Sequence, residues 1–286
     1  KLACITIFKN HKTYPNHNMK NLILSSFLFA SFFSITSCKD KEKDALVGTG
    51  SVTIEFDNRA GDESLDFNQP YTNAAGEQLT FSKFKYYVSN FVLVKGDGSE
   101  YVVPKDSCYF LVDQSIPASR SINLKNIPAG EYTRVKFMIG VDSLKNTADI
   151  SERTGVLDPA GDAADMYWTW NSGYIHLKIE GTSPAAPYDS MTNMSMFMYH
   201  IGGFGGYSSP TPNNTRTFDL TAPSEAAEVS QDHSPTIHLK VDILQAFTSP
   251  TTLSVAAKPM IHMPMDGATM ANNYADMITI DHIHNH

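Results

Sequence analysis

From Ser51 onward, hydrophobic and polar positions alternate with a period of two. Val52, Ile54 and Phe56 alternate with Thr53, Glu55 and Asp57, and Thr133, Val135, Phe137 and Ile139 alternate with Arg134, Lys136 and Met138. That period is the mark of strands with one buried face. Phe84 to Lys95, then Gly96-Asp97-Gly98, then Tyr101-Val102-Val103 reads as a hairpin closed by a glycine-rich turn. Further strands are expected over 109–112, 121–124, 174–179, 194–200, 217–220, 236–243 and 252–256. Helical periodicity is scarce, with one short helix expected from Ser143 to Ile150 in a loop, Asp142 to Asp165, that packs over an edge. Roughly ten short strands between turn clusters predict an all-β antiparallel sandwich or closed barrel. The Greek-key-like sandwich is the more economical, with long loops and at most one or two short helices. One domain is expected over 49–281, followed by a histidine-containing tail at 282–286.

The first 48 residues follow another pattern. Met19 and Lys20 open an apolar run, Leu22 to Ile35, that ends in Ile35-Thr36-Ser37-Cys38. This reads as a lipoprotein signal over 19–37, cleaved before Cys38, because the run is shorter than the ~20 residues that span a bilayer. Residues 1–18 read as an over-extended leader. Lipid on Cys38 would hold the protein at a membrane of the bacterial envelope, and the charged stretch after it, within 38–48, reads as a solvated tether.

Charge then narrows the partners. Residues 1–37 contain Lys1, Lys9, Lys12 and Lys20 and no acid, so what remains has 22 − 4 = 18 basic and 30 acidic residues, net −12. Such a surface argues against nucleic acid and mildly favours cations. Of the three cysteines, Cys4 lies in the leader and Cys38 at the cleavage point. Cys108 alone remains, so no internal disulfide is expected, and it reads as buried filler.

Candidate chemistry lies in histidine, methionine and tryptophan. Ile-His-Leu-Lys occurs at 175–178 and again at 237–240. If those strands were neighbours, His176 and His238 would meet across the sheet at a distance a metal bridges; the alternative is a polar histidine on each of two exposed faces. Met191, Met194, Met196 and Met198 precede His200, and Met260, Met263, Met265 and Met270 surround His262. Thioether with imidazole suits Cu(I), but for the sulfurs themselves core packing is the stronger expectation, leaving His200 and His262 as the better ligands. His282, His284 and His286 alternate in the tail, where H-x-H pairs chelate Cu, Ni or Zn, or where the end is disordered and binds weakly. There is no G-x-S-x-G elbow, C-x-x-C, H-E-x-x-H or phosphate-binding glycine loop, and no enzyme is expected. Asp158, Asp162 and Asp165 miss the EF-hand spacing.

Both tryptophans, Trp168 and Trp170, fall in M-Y-W-T-W-N-S-G-Y (166–174). That segment, with F-K-Y-Y-V-S-N-F (84–91), I-G-V-D-S-L (139–144), L-D-P (157–159), K-I-E-G (178–181) and Y-H-I-G-G (199–203), resembles the MbnP-like copper-binding proteins. The resemblance implies an exported β-sandwich that binds copper through histidines, with a tryptophan oxidised to kynurenine by a diheme partner related to cytochrome c peroxidases. It makes Trp168 and Trp170 the candidates for modification and His200 the best-matched ligand. It also implies a histidine just after the first strand, where this chain has Asn58. A kynurenine offers an aromatic amine that indole, a donor only, does not. The expectation is a copper-binding envelope lipoprotein that handles or stores the metal and needs no organic cofactor. The competing reading is a surface module whose Trp, Tyr and Gly residues bind a glycan or peptide.

Overall fold

Alternation sets the inner faces of the strands. In the first strand (Thr49–Ala60), Val52, Ile54 and Phe56 are buried while Glu55 and Asp57 point outward. The computed structural model describes residues 45–286, so the leader, the signal segment and Cys38 lie outside the described residues. Among the described residues the strands form two sheets, one of five strands and one of eleven, packed face to face as a β-sandwich.

In the smaller sheet the first strand is flanked on one side by Ser121–Pro128, antiparallel. On the other side it pairs with Thr236–Asp242, which in turn pairs with an edge strand, Ile278–His284. The larger sheet runs through Met194–Gly202, Ile175–Thr182, the long central strand Gln78–Lys95, Gly130–Ile139 and Arg216–Thr221. Between the sheets lies a layer of rings. Phe137 stacks on Phe218 at 5.2 Å and on Phe91 at 5.4 Å, and meets Phe56 edge-on at 6.0 Å. Offset and edge-on pairs of this kind add to what burial alone contributes.

Several expectations are corrected. The first strand and Thr236–Asp242 run parallel, as do Met194–Gly202 and Met260–Ile261, in an otherwise antiparallel design among the described residues. Residues 252–256 form a loop, because the Ser254 hydroxyl and the Val255 and Ala256 N–H groups donate to the Glu77 carboxylate and not to a neighbouring strand. The segment around Met265 and Met270 forms a helix, Pro264–Tyr274, with proline in its first turn. The expected tail begins inside a strand: His282 and His284 belong to the edge strand Ile278–His284. The helix expected over 143–150 shortens to Ser143–Asn146, followed by a 3-10 turn at Ile150–Glu152.

The loop from 142 onward covers the outer face of the larger sheet. Leu157, Ala163, Met166 and Tyr174 close a second, smaller core over Tyr87 and Val141. Asn146, fully buried, donates to the Val141 carbonyl and accepts from the Tyr174 N–H, tying both ends of the loop together.

Replacing Phe137 by Ala removes the ring shared by three aromatic contacts and leaves a cavity. The expected cost is about 3–5 kcal/mol, read as a lowered urea midpoint with little change in slope.

Candidate metal centre

The methionine-rich strand Met194–Gly202 directs Phe197, Tyr199 and Ile201 into the core. Met194, Met196, Met198 and His200 therefore line the outer face, not the core expected for the sulfurs. Its neighbour Ile175–Thr182 sets Lys178 opposite His200 and Glu180 opposite Met198. On the other side a short parallel strand, Met260–Ile261, sets Met260 beside Met198. Two Met-x-His runs, Met198 to His200 and Met260 to His262, thus lie side by side.

The geometry at the histidines is specific. His200 Nδ1 lies 3.3 Å from His262 Nδ1, and the rings meet edge-on at 4.7 Å. His200 Nε2 lies 2.8 Å from Glu180 Oε1. A carboxylate only accepts, so Nε2 carries the proton and Nδ1 keeps its lone pair facing His262. Carboxylate behind imidazole is the arrangement that orients metal-ligating histidines. The His200 hydrogen bond draws the Glu180 pKa down to about 2, with Lys83 at 3.3 Å adding to the effect. Burial lowers the His262 pKa, and the adjacent His200 lowers it further, which favours the neutral ligand form. Two facing imidazole nitrogens at this spacing could hold a metal ion between them.

Trp168 leans on this region. A Cβ on Gly202 would come within 2.6 Å of Trp168 Cζ3, so glycine at 202 is what lets the indole lie against the strand two residues beyond His200. Trp170 stacks on Trp168 at 4.7 Å and is 38% exposed. A cleft of about 360 Å³ beside it is lined by Arg153, Tyr167, Trp170 and Tyr207.

The other predicted ligands separate. His176 is fully buried: its Nδ1 accepts from the Val141 N–H at 3.2 Å, and its Nε2–H donates to the Gly203 carbonyl at 3.0 Å. With both nitrogens engaged it is a structural pin beneath the covering loop. His176 does not meet His238, because their strands belong to different sheets. Asn58, at the position where the resemblance implies a histidine, is buried in the smaller sheet. Its side chain donates to Gln114 and accepts from the Tyr86 hydroxyl. Asp165, one of the loop acids, is engaged with Lys85 at 3.3 Å and Lys178 at 3.6 Å.

His238 instead joins residues the sequence had assigned to a tail. His282 is its direct cross-strand partner, and Thr236, two residues before it, pairs with His284. One ring nitrogen each from His238, His282 and His284 lie within 4.8 Å of one another. Burial lowers the His238 pKa, Glu55 opposes that, and His282 and His284 add to it. The signal in the sequence was the alternation of Asp281-His282-Ile283-His284 itself, which is a strand pattern.

Fold and side-chain placement define a two-sheet β-sandwich with imidazoles gathered on its outer faces. The MbnP family model matches residues 49–264. The chain belongs to the MbnP family. Among solved structures, MbnP from Methylosinus trichosporium is similar, with 17% identity over 73% of this chain and 80% of that one, and a TM-score of 0.49. No curated protein matches.

Burial pulls the His176 pKa from 6.5 to about 4, the Gly203 hydrogen bond only partly offsetting it. Its contribution to stability is therefore full above pH 6.5 and is lost as pH falls toward 4, because the unfolded chain takes up the proton first. The loss is on the order of 3 kcal/mol. His176→Gln should flatten this part of a plot of urea midpoint against pH, whatever its effect on stability at pH 7.

Proposed function

We propose that this protein binds copper in the cell envelope and stores or delivers it, without turning over a substrate. The observation that carries the reading is the facing Nδ1 pair of His200 and His262, 3.3 Å apart, with Glu180 holding the far nitrogen of His200. Membership of the MbnP family supports it. Glu180 sets the tautomer of His200, the partial burial of His262 favours its neutral ring, and the thioethers of Met198 and Met260 on the same face bias the site toward the reduced ion. Copper supplies a soft Lewis acid there. His238, expected as a ligand, belongs to a different group of residues, and His176 is committed to backbone hydrogen bonds.

In this reading Trp168 or Trp170 is the substrate side chain for kynurenine formation by a diheme peroxidase-like partner. Trp168 lies against Gly202, close along the strand to His200, where a kynurenine nitrogen would add a donor. Trp170 is the more accessible to a partner. Lipid on Cys38 anchors the chain to the membrane. A second reading, favoured by the cleft between Trp170, Tyr167 and Tyr207, is a glycan- or peptide-binding surface that needs no metal.

At free Cu(I) near 100 times Kd, mass action adds about 2.7 kcal/mol to the native state, which raises the melting temperature by roughly 5–10 °C in a domain of this size. His200→Ala and His262→Ala should each remove that shift. An unchanged shift in both variants refutes the assignment, and a shift with a glycan but none with copper supports the second reading. Peptide masses across Met166 to Lys178, in protein from its native cell, should show the gain of tryptophan-to-kynurenine conversion at Trp168 or Trp170. Unmodified peptide with the diheme partner present rules out that step.

A further inference from the structure

The outer face of the smaller sheet carries a second constellation, independent of His200 and His262. Three strands bring it together in register. Glu55 on the first strand pairs with His238, and His238 pairs with His282 on the edge strand. The His238 and His282 rings stack at 4.3 Å with 13° between planes. His284 meets His238 at 4.9 Å and His282 at 4.5 Å.

Carboxylates lie beside two of the rings. His238 Nδ1 lies 3.3 Å from Glu55 Oε2, and His282 Nδ1 lies 2.8 Å from Asp281 Oδ2. Since a carboxylate only accepts, the His282 Nδ1 carries the hydrogen and its Nε2 keeps a lone pair, and the Glu55 carboxylate lies beside the His238 Nδ1. Asp281 is oriented in turn by Lys240 at 2.5 Å. Two of the three imidazoles thus have a carboxylate behind them, the backing typical of histidines that ligate metals. His282 and His284 lie beyond residue 264, where the family match ends, so the reading rests on this chain's own residues.

We propose that His238, His282 and His284 form a binding site for a borderline divalent cation, Zn²⁺ or Cu²⁺, on the outer face of the smaller sheet. Three imidazoles without a thioether select this class over the soft ion assigned to the other sheet. An imidazole nitrogen sits about 2.0–2.1 Å from zinc, so ligand atoms around one ion lie roughly 4 Å apart or less. Closing from the 4.8 Å span requires side-chain rotation alone, on a face that is half-buried to exposed. Three protein ligands leave a position open for water or an incoming group. Because His238 lies on an inner strand and the other two on the edge strand, a bound ion staples the edge strand to the sheet.

The test uses the full chain carrying His200→Ala and His262→Ala, so that only this site is read, with ZnCl₂ titrated calorimetrically. One Zn²⁺ per chain is expected. Glu55→Gln should weaken it by roughly ten- to a hundredfold, and His282→Ala with His284→Ala should abolish saturable binding. Both imidazoles are surface groups whose truncation leaves the core intact. Amide hydrogen exchange across 278–284 should slow on adding Zn²⁺ and should not respond in the double histidine variant. Absence of a saturable site in the parent, or equal affinity in the double variant, overturns the proposal. Zn²⁺ binding without added protection of 278–284 overturns the staple.

Discussion

The layer of rings between the sheets, with Phe137 at its centre against Phe218, Phe91 and Phe56, fixes which faces of the strands it touches point inward. A strand has two faces. Once one is committed to the core, the alternate residues must face outward. Two candidate ligands are such remainders: His200 because Tyr199 and Ile201 face in, and His238 because Ile237 and Leu239 do. The chemistry is placed by exclusion from the core.

The outer faces of the two sheets then differ in what covers them. Over the larger sheet, the loop from 142 onward brings its own small core and buries His176 and Lys178. Burial of an imidazole without a counter-charge disfavours its protonated form, and two backbone partners fix its tautomer. Over the smaller sheet, among the described residues, no such loop buries Glu55 and His238, whose side chains stay 48% and 22% exposed. The tetrapeptide Ile-His-Leu-Lys therefore has two fates, a buried pin at 175–178 and an open imidazole at 237–240.

Both histidine groups share one device: a carboxylate accepts from one ring nitrogen and leaves the other free, Glu180 behind His200 and Asp281 behind His282. They differ in company. Thioethers of Met198 and Met260 accompany the first, whereas the second consists of imidazoles alone. The two groups therefore differ in the softness of the donors they gather.

Period-two alternation was enough to determine the all-β class, most strands and their inward residues, because a strand's facing is a local property. The segments around Trp168 and His200 were enough to recognise the family. The closing helix was missed because its methionines and histidine read as a ligand run, and the edge strand was missed because a polar, histidine-rich end resembles a solvated tail. Which histidines converge was decided only by the tertiary structure. His200 finds His262, and His238 finds His282 and His284, through pairings between residues 62 and about 45 positions apart, and register between distant strands depends on the whole sandwich. Local pattern states which way a side chain points, and only the fold states what it points beside.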